Sequence, residues 1–253
     1  PSFGTKEEAY ELIEKAHNLG MKVILDAVFN HCSNKNPLFL EVVRNGTKSD
    51  KFDWFCINGD KVEISPLNYD SFAGLVPEMP RFNTSNPKVQ EYLINVAVYW
   101  TKLLNIDGWR LDVADEVSHV LWKKFRIRLR EINPEIFILG EVWNRATQWL
   151  NGDEFDSVTN YKFRKYLISF AENLNLTNED FWNRIISNEM NYKKYNLDFL
   201  VNLVSSHDVK RVLTQMNSNK LIVKLIFGMM ILYRGIPLIY YGDEIGLEGS
   251  EDP

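Results

Sequence analysis

The sequence predicts an α/β fold in which parallel strands are covered by helices. Three observations lead there. Helix-like and strand-like segments alternate along the chain, the strands are short and almost continuously apolar, and the helices between them are amphipathic. Strands buried on both faces read as unbroken apolar runs, and a strand–helix–strand order is the signature of parallel pairing.

The first segment, "TKEEAYELIEKAHNLG", is a helix opened by a T-x-x-E capping box at Thr5 and Glu8 and stopped at Gly20. "MKVILDAVF" follows as a short apolar strand. Residues 32–86 are rich in Asn, Asp, Gly and Pro with interspersed aromatics, too long for an ordinary loop and therefore a small inserted subdomain. In "NPKVQEYLINVAVYWTKLLN", Val89, Tyr92, Leu93, Val96, Ala97, Trp100, Leu103 and Leu104 recur at helical spacing, with Pro87 near the first helical position. Next come strand "DGWRLDV", helix "HVLWKKFRIRLREI", strand "EIFILGE" and a weaker strand near "FDSVTNY". Helices near 161–175 and 179–188 precede strand "DFLVNLVSS", helix "KLIVKLIFGMMILY" and strand "PLIYYGDE".

An open doubly wound sheet would carry a Gly-rich turn after an early strand, and the sequence has none. The polar residues favour a (β/α)8 TIM barrel, whose chemistry sits at the C-terminal ends of its strands. Those ends carry Asp26 with His31 just beyond, Arg110 with Asp112, Glu141, and His207 with Asp208. The strands number about six, so the sequence implies an incomplete barrel, about strands 3 to 8, with two further units before Pro1. Residues 1–31 and 87–253 would form the barrel, and 32–86 the subdomain inserted after the third barrel strand.

Composition narrows the function. The 253 residues are 45% hydrophobic and 25% charged, with a net charge of −5 that offers no basic excess for a nucleic acid. The longest apolar run, "LIVKLIFGMMILY", contains Lys224 and is shorter than a membrane span of about 18 residues or more. Cys32 and Cys56 do not make a disulfide framework. His17 and His119 fall in helical patterns and are read as structural or solvated.

The chemistry begins with "GWRLDVADEV". A strand sends residues i and i+2 to the same face, so Arg110 and Asp112 point together. Taken singly, each strand-end carboxylate could cap a helix or serve an ion pair. Crowded together, carboxylates ionise unequally, one staying charged beside a cation while another is driven towards the protonated form. That is the arrangement for cleaving a glycosidic bond, with a nucleophile and a proton donor. Arg110 favours the ionised form of Asp112, and Glu141, followed by Val142 and Trp143, suits the raised pKa. A metal-dependent hydrolase would need clustered ligands, whereas the four histidines are widely separated.

"DAVFNH" (26–31), "GWRLDVADE" (108–116), "GEVW" (140–143) and "SSHD" (205–208) resemble, in order, the four signature regions of the α-amylase family, glycoside hydrolase family 13. The resemblance runs from "FGTKEE" to "IYYGDEIGLEG" and the closing "DP". "MPRFNTSNP" (79–87) is similar to the MPKLN-type region of cyclomaltodextrinases, neopullulanases and maltogenic amylases, and "DVADEVSH" to a DVANEV-type stretch of the same subgroup.

The resemblance implies Asp112 as nucleophile, Glu141 as general acid/base and Asp208 as the carboxylate that fixes substrate hydroxyls. It implies Arg110, His31, His207, Glu116 and Trp143 as substrate-binding residues, with Asp26 supporting the site. The reaction would be a retaining double displacement on cyclodextrins, malto-oligosaccharides or pullulan, with transglycosylation as a side reaction. No cofactor would be required, although calcium is an option near Asn30. The parent protein would be a cytoplasmic homodimer joined through an N-terminal domain, touching neither nucleic acid nor membrane, and these 253 residues alone would be inactive or poorly folded.

Three departures bear on specificity: Asp115 replaces a usual Asn, Arg81-Phe82 a usual Lys-Leu, and Asn144 a frequent His. An α-1,6-glucosidase or α-glucosidase of the same family is the alternative. A non-catalytic carbohydrate-binding or scaffold homologue is disfavoured by the presence of all three carboxylates. Trp54 and Phe55 could be sugar platforms or could pack the subdomain.

Overall fold

The capping box at Thr5 and Glu8 is formed. In the computed structural model, which describes residues 4–74, 76–172 and 176–250, Thr5 Oγ1 accepts from the Glu8 amide at 3.2 Å and Glu8 Oε2 accepts from the Thr5 amide at 2.7 Å. Two orphan amides of helix α1 (Lys6–Asn18) are thereby satisfied. The ends "PSF" and "EDP" lie outside the described residues. The chain divides into two compact units: Pro1–Glu141 with Asp153–Phe155, and Val142–Gly152 with Asp156–Pro253.

The first unit is a run of βα units. Strands β1 (Ile24–Ala27), β4 (Gly108–Leu111) and β5 (Phe137–Gly140) pair in parallel, with Asp26 beside Arg110 and Arg110 beside Leu139. Helices α3 (Pro87–Leu104) and α4 (His119–Arg130) follow β1 and β4. Pro87 takes the first turn of α3, and Asn86 caps it by accepting from the Lys88 amide. The helix buries Val89, Leu93, Ala97 and Leu104 as its spacing predicts, while Leu103 at the stripe's margin stays exposed.

The core beneath these strands is aromatic. Phe125 meets Phe29, Trp109 and Trp122 at centroid distances of 6.1, 6.5 and 5.5 Å. Each indole has a partner: Trp109 Nε1 donates to Thr101 Oγ1 at 3.0 Å and Trp122 Nε1 to the Ala114 carbonyl at 2.9 Å. Gly140 ends β5 because a Cβ there would lie 2.4 Å from the Phe155 ring.

Segment 32–86 lies within the first unit and is less irregular than its composition suggests. It holds helix α2 (Pro37–Asn45) and the antiparallel pair β2 (Ser71–Phe72) and β3 (Val76–Pro80). The start of α2 carries an ordinary signal, Asn36 capping with Pro37 in the first turn. Phe55 is buried here, stacked on Phe82 at 5.3 Å and edge-on to Phe39 at 4.9 Å, so it packs the subdomain and is no sugar platform. Trp54 lies against Tyr92.

The second unit contains β6 (Ser157–Val158), α5 (Tyr161–Glu172), α6 (Asn178–Glu189), α7 (Lys194–Leu197), β7 (Val201–Asn202), α8 (Val212–Gln215), α9 (Lys220–Leu232) and β8 (Ile236–Pro237). Strands β7 and β8 pair in parallel. Its core joins Phe163, Leu167, Phe181, Ile185, Ile226 and Met230. Residues 173–175, expected to extend α5, lie outside the described residues.

The last strand is shorter than "PLIYYGDE" suggests. Strand alternation would send Tyr240 and Tyr241 to opposite faces. Instead both rings lie against the buried Arg211 guanidinium, at 4.6 and 4.8 Å, and the chain turns at Asp243–Ile245. Cys32 and Cys56 are free thiols. No helix among the described residues is long and apolar enough to cross a membrane.

Asp107 locks the first unit at the start of β4. Its carboxylate accepts from the Val23 amide at 2.9 Å and Lys22 Nζ at 2.8 Å, and sits 2.7 Å from His17 Nε2. Burial pushes its pKa up, but Lys22, the Val23 amide and His17 together hold it below the ordinary carboxylate value. Stability from such a depressed group is present above the unfolded pKa and is lost as pH falls through the folded one. Asp107→Asn should therefore cost about 1–3 kcal/mol at pH 7. In urea titrations against pH, the gap to the unmodified chain should close below about pH 4.

Candidate active site

Arg110 is the hub of the first unit's polar end. Projecting from β4 between its two neighbours, it meets a carboxylate from each strand end. Nη1 donates to Asp112 Oδ1 at 2.6 Å and to Asp26 Oδ1 at 3.0 Å, and Nη2 pairs with Glu141 Oε2 at 2.9 Å. The parallel register dictates the meeting, since Asp26 lies beside Arg110 and Glu141 follows the last residue of β5. Burial works against the guanidinium's charge, but Glu141, Asp26 and Asp112 outweigh it and hold the arginine pKa above its ordinary value. Glu141 is 3% exposed, Asp112 is half-buried and Asp26 lies at the open rim.

The backbone after Asp112 is strained into place. Val113 has φ +45° and ψ +45°, a left-handed conformation that a β-branched residue rarely adopts and that costs on the order of 1–3 kcal/mol. Glu141 holds it there: Oε2 accepts from the Val113 amide at 3.0 Å, and the Glu141 carbonyl accepts from the Ala114 amide at 3.1 Å. The segment carrying Asp112 and the residue carrying the second carboxylate thus position each other.

His31 lies just beyond β1, tilted against Phe72 at 4.9 Å, with its Nδ1 buried and without a hydrogen-bond partner. Burial pushes its pKa down against the pull of Asp112 and Glu116, and Arg81 adds to the lowering. The balance favours the neutral imidazole. Glu116 lies beside Asn30 and Arg81, and the adjoining half-buried Asp115 has its pKa raised by burial.

His207, Asp208 and Trp143 belong to the second unit. Asp208 Oδ1 lies 3.2 Å from His207 Nε2, its Oδ2 accepts from Tyr161 Oη at 3.3 Å, and its amide donates to Ser206 Oγ. Tyr161 stacks flat on Trp143, with centroids 3.9 Å apart and planes 7° from parallel. Trp143, 42% exposed, borders a cleft of about 430 Å³ together with Asn144, Tyr161, Lys162 and Gln215. The structure thus gathers Asp26, Arg110, Asp112 and Glu141 in one unit, with His31 and Glu116 nearby, and places Asp208, His207 and Trp143 in the other.

Two residues of these clusters were not singled out as site residues from sequence. Tyr161 follows a strand that shows weakly in the sequence, and the same strand-end rule that flags Glu141 points to it. Arg81 stood out only as a departure from a motif.

A family model described as the catalytic domain of alpha-amylase matches residues 1–252. A cyclomaltodextrinase of Thermoanaerobacter pseudethanolicus is 44% identical over 100% of this chain and 44% of its own length. Neopullulanase 2 of Thermoactinomyces vulgaris is 43% identical over 100% of the chain and 43% of its own length. Among solved structures, a cyclic alpha-maltosyl-(1→6)-maltose hydrolase from Arthrobacter globiformis, in complex with that sugar, superposes with a TM-score of 0.94 at 31% identity. It is matched over 99% of this chain and 56% of its own. The chain spans less than half the length of the two relatives. The α/β fold of parallel strands read from the sequence as part of a TIM barrel is the fold these matches share.

Removing the hub leaves three carboxylates facing one another. Arg110→Met should destabilise the protein by about 3–5 kcal/mol at pH 7, the cost of stranding buried charge. Chemical denaturation of the variant and the unmodified protein at pH 7 would measure the loss.

Proposed function

The chain belongs to the alpha-amylase catalytic-domain family, and from that premise we propose that it carries the chemistry of a retaining α-glucan hydrolase of the cyclomaltodextrinase and neopullulanase type. The observation that supports this best is the pair of contacts from one guanidinium, Nη1 to Asp112 and Nη2 to Glu141. An inverting pair stands about 6.5–9.5 Å apart to admit a water between its carboxyls, whereas a retaining pair is about 5–5.5 Å apart. Two carboxylates held by neighbouring nitrogens of one side chain favour the closer spacing.

In the proposed reaction, Asp112 attacks the anomeric carbon while Glu141 gives its proton to the departing glycosidic oxygen. The sugar is left as an ester of Asp112. Glu141, now a carboxylate, takes a proton from water or from a sugar hydroxyl, whose oxygen attacks the same carbon and releases Asp112. Arg110 aims Asp112 through the 2.6 Å hydrogen bond from Nη1 to Oδ1. His31, its neutral form favoured by burial, can donate to a sugar hydroxyl. Asp208, oriented by Tyr161, is assigned to the sugar hydroxyls, and the flat face of Trp143 to stacking. Glu116 would contact the substrate beyond the cleavage point, and Asp26 would complete the partners of Arg110. Cyclodextrins, malto-oligosaccharides and pullulan are the proposed substrates, and a cytoplasmic homodimer the proposed setting.

Cleavage of α-1,6 bonds is a second reading, favoured by the likeness to a structure bound to an α-1,6-containing cyclic tetrasaccharide. Product profiles from β-cyclodextrin, pullulan and isomaltose separate the two, since dominant glucose release from isomaltose would establish the second. In the full-length protein, Asp112→Asn should abolish turnover of β-cyclodextrin. Glu141→Gln should lower kcat by about 10²–10⁴-fold, the usual worth of a positioned acid. Turnover retained by Asp112→Asn would sink the assignment.

A further inference from the structure

Calcium is the ion that the family resemblance attaches to the position of Asn30. Here that side chain is fully buried and engaged at both ends. Its Oδ1 accepts from Arg81 Nε at 3.2 Å, and its Nδ2 donates to Glu116 Oε2 at 3.4 Å. The same guanidinium reaches on to Glu116, with Nη1 3.6 Å from Oε2 and Nη2 donating to the main-chain carbonyl at 3.1 Å. The backbone sets this up: Arg81 forms a bridge opposite His31, and the amides on either side of that bridge close it, Cys32 on the Pro80 carbonyl and Phe82 on the Asn30 carbonyl, each at 3.0 Å.

Calcium takes about six to eight oxygen ligands at about 2.3–2.6 Å. The three oxygens that converge here, Asn30 Oδ1, Glu116 Oε2 and the Glu116 carbonyl, all face one guanidinium. Its N–H groups bond two of them, Asn30 Oδ1 and the Glu116 carbonyl, the third lies at ion-pair distance, and the charge repels a second cation. Among the described residues no group of three or more His, Cys, Asp or Glu side chains could hold a metal. The residues present do not fit the ion.

We propose that Arg81 is a built-in cation standing where a structural calcium would otherwise sit. It ties the end of β1, the end of β3 and the Asp115–Glu116 turn beyond Asp112, and it does so through a planar fork of donors that suits several oxygens at once. This role is independent of which bond the enzyme cleaves. Arg81 is a positioning residue: it touches Asn30 and Glu116 and none of Asp112, Glu141 or Asp208 among the contacts described.

The test compares thermal midpoints of the full-length protein, Arg81→Met and Arg81→Lys, each in EDTA and in millimolar calcium chloride. In EDTA, Arg81→Met should melt about 4–8 °C below the unmodified protein. Calcium should raise the Arg81→Met midpoint by more than it raises the unmodified one, because the vacated oxygens can now accept the ion. An ion bound elsewhere would move both alike. Arg81→Lys keeps the charge and should respond to calcium only as the unmodified protein does. Equal responses in Arg81→Met and the unmodified protein would overturn the proposal. Should Arg81→Met fail to fold in EDTA, Arg81→Lys carries the test, and a calcium response larger than the unmodified protein's would overturn it.

Discussion

Three carboxylates crowd the ends of three neighbouring parallel strands, and one guanidinium makes that crowding tolerable. Arg110 sits on the middle strand, flanked by Asp26 on one side and Glu141 on the other, with Asp112 just past the end of its own strand. Parallel register leaves little freedom here. A shift of one residue in β4 would send Arg110 to the opposite face, where the aromatic core lies, and would leave the carboxylates uncompensated. The core of Phe29, Trp109 and Phe125 and the ion cluster above it are therefore two faces of one constraint. Strain at Val113 belongs to the same constraint, because the conformation that costs energy locally also brings its amide onto Glu141.

In each unit, arginines do the positioning. Arg81 holds the turn that follows Asp112 through Glu116. In the second unit, buried Arg211 pairs with Asp243 at 3.3 Å, bonds the Tyr241 carbonyl at 2.7 Å and lies against two tyrosine rings. It follows Asp208 by three residues, so the loop bearing that carboxylate is anchored close behind it. Arginine suits all three places, since its planar donors meet several oxygens in fixed directions and it stays charged when buried.

Much of the first unit was legible because its signals are local and repeated. The capping box at Thr5, the helical stripe from Val89 to Leu104 and the apolar runs of β1, β4 and β5 each depend on near neighbours in sequence. The Arg110–Asp112 pair was legible for the same reason, since strand alternation alone puts the two on one face. Helix α2 was missed although Asn36-Pro37 announces it, because the surrounding composition reads as loop. The last strand was overestimated because Tyr240 and Tyr241 look like strand residues, and only the distant Arg211 shows why they turn together. Arg81 and Tyr161 gain their roles from residues 51 and 47 positions away in sequence, contacts that no local pattern carries.

The close pairing of Asp112 and Glu141 by one arginine carries the chemical proposal, and the stereochemistry of the product reports on it directly. Proton NMR of the first maltose released from β-cyclodextrin by the full-length protein, recorded before mutarotation, distinguishes the two geometries. A nucleophile and acid held at the short spacing release the α-anomer first. Initial appearance of the β-anomer would mean that a water stands between the carboxylates, contradicting the arrangement in which Arg110 holds both.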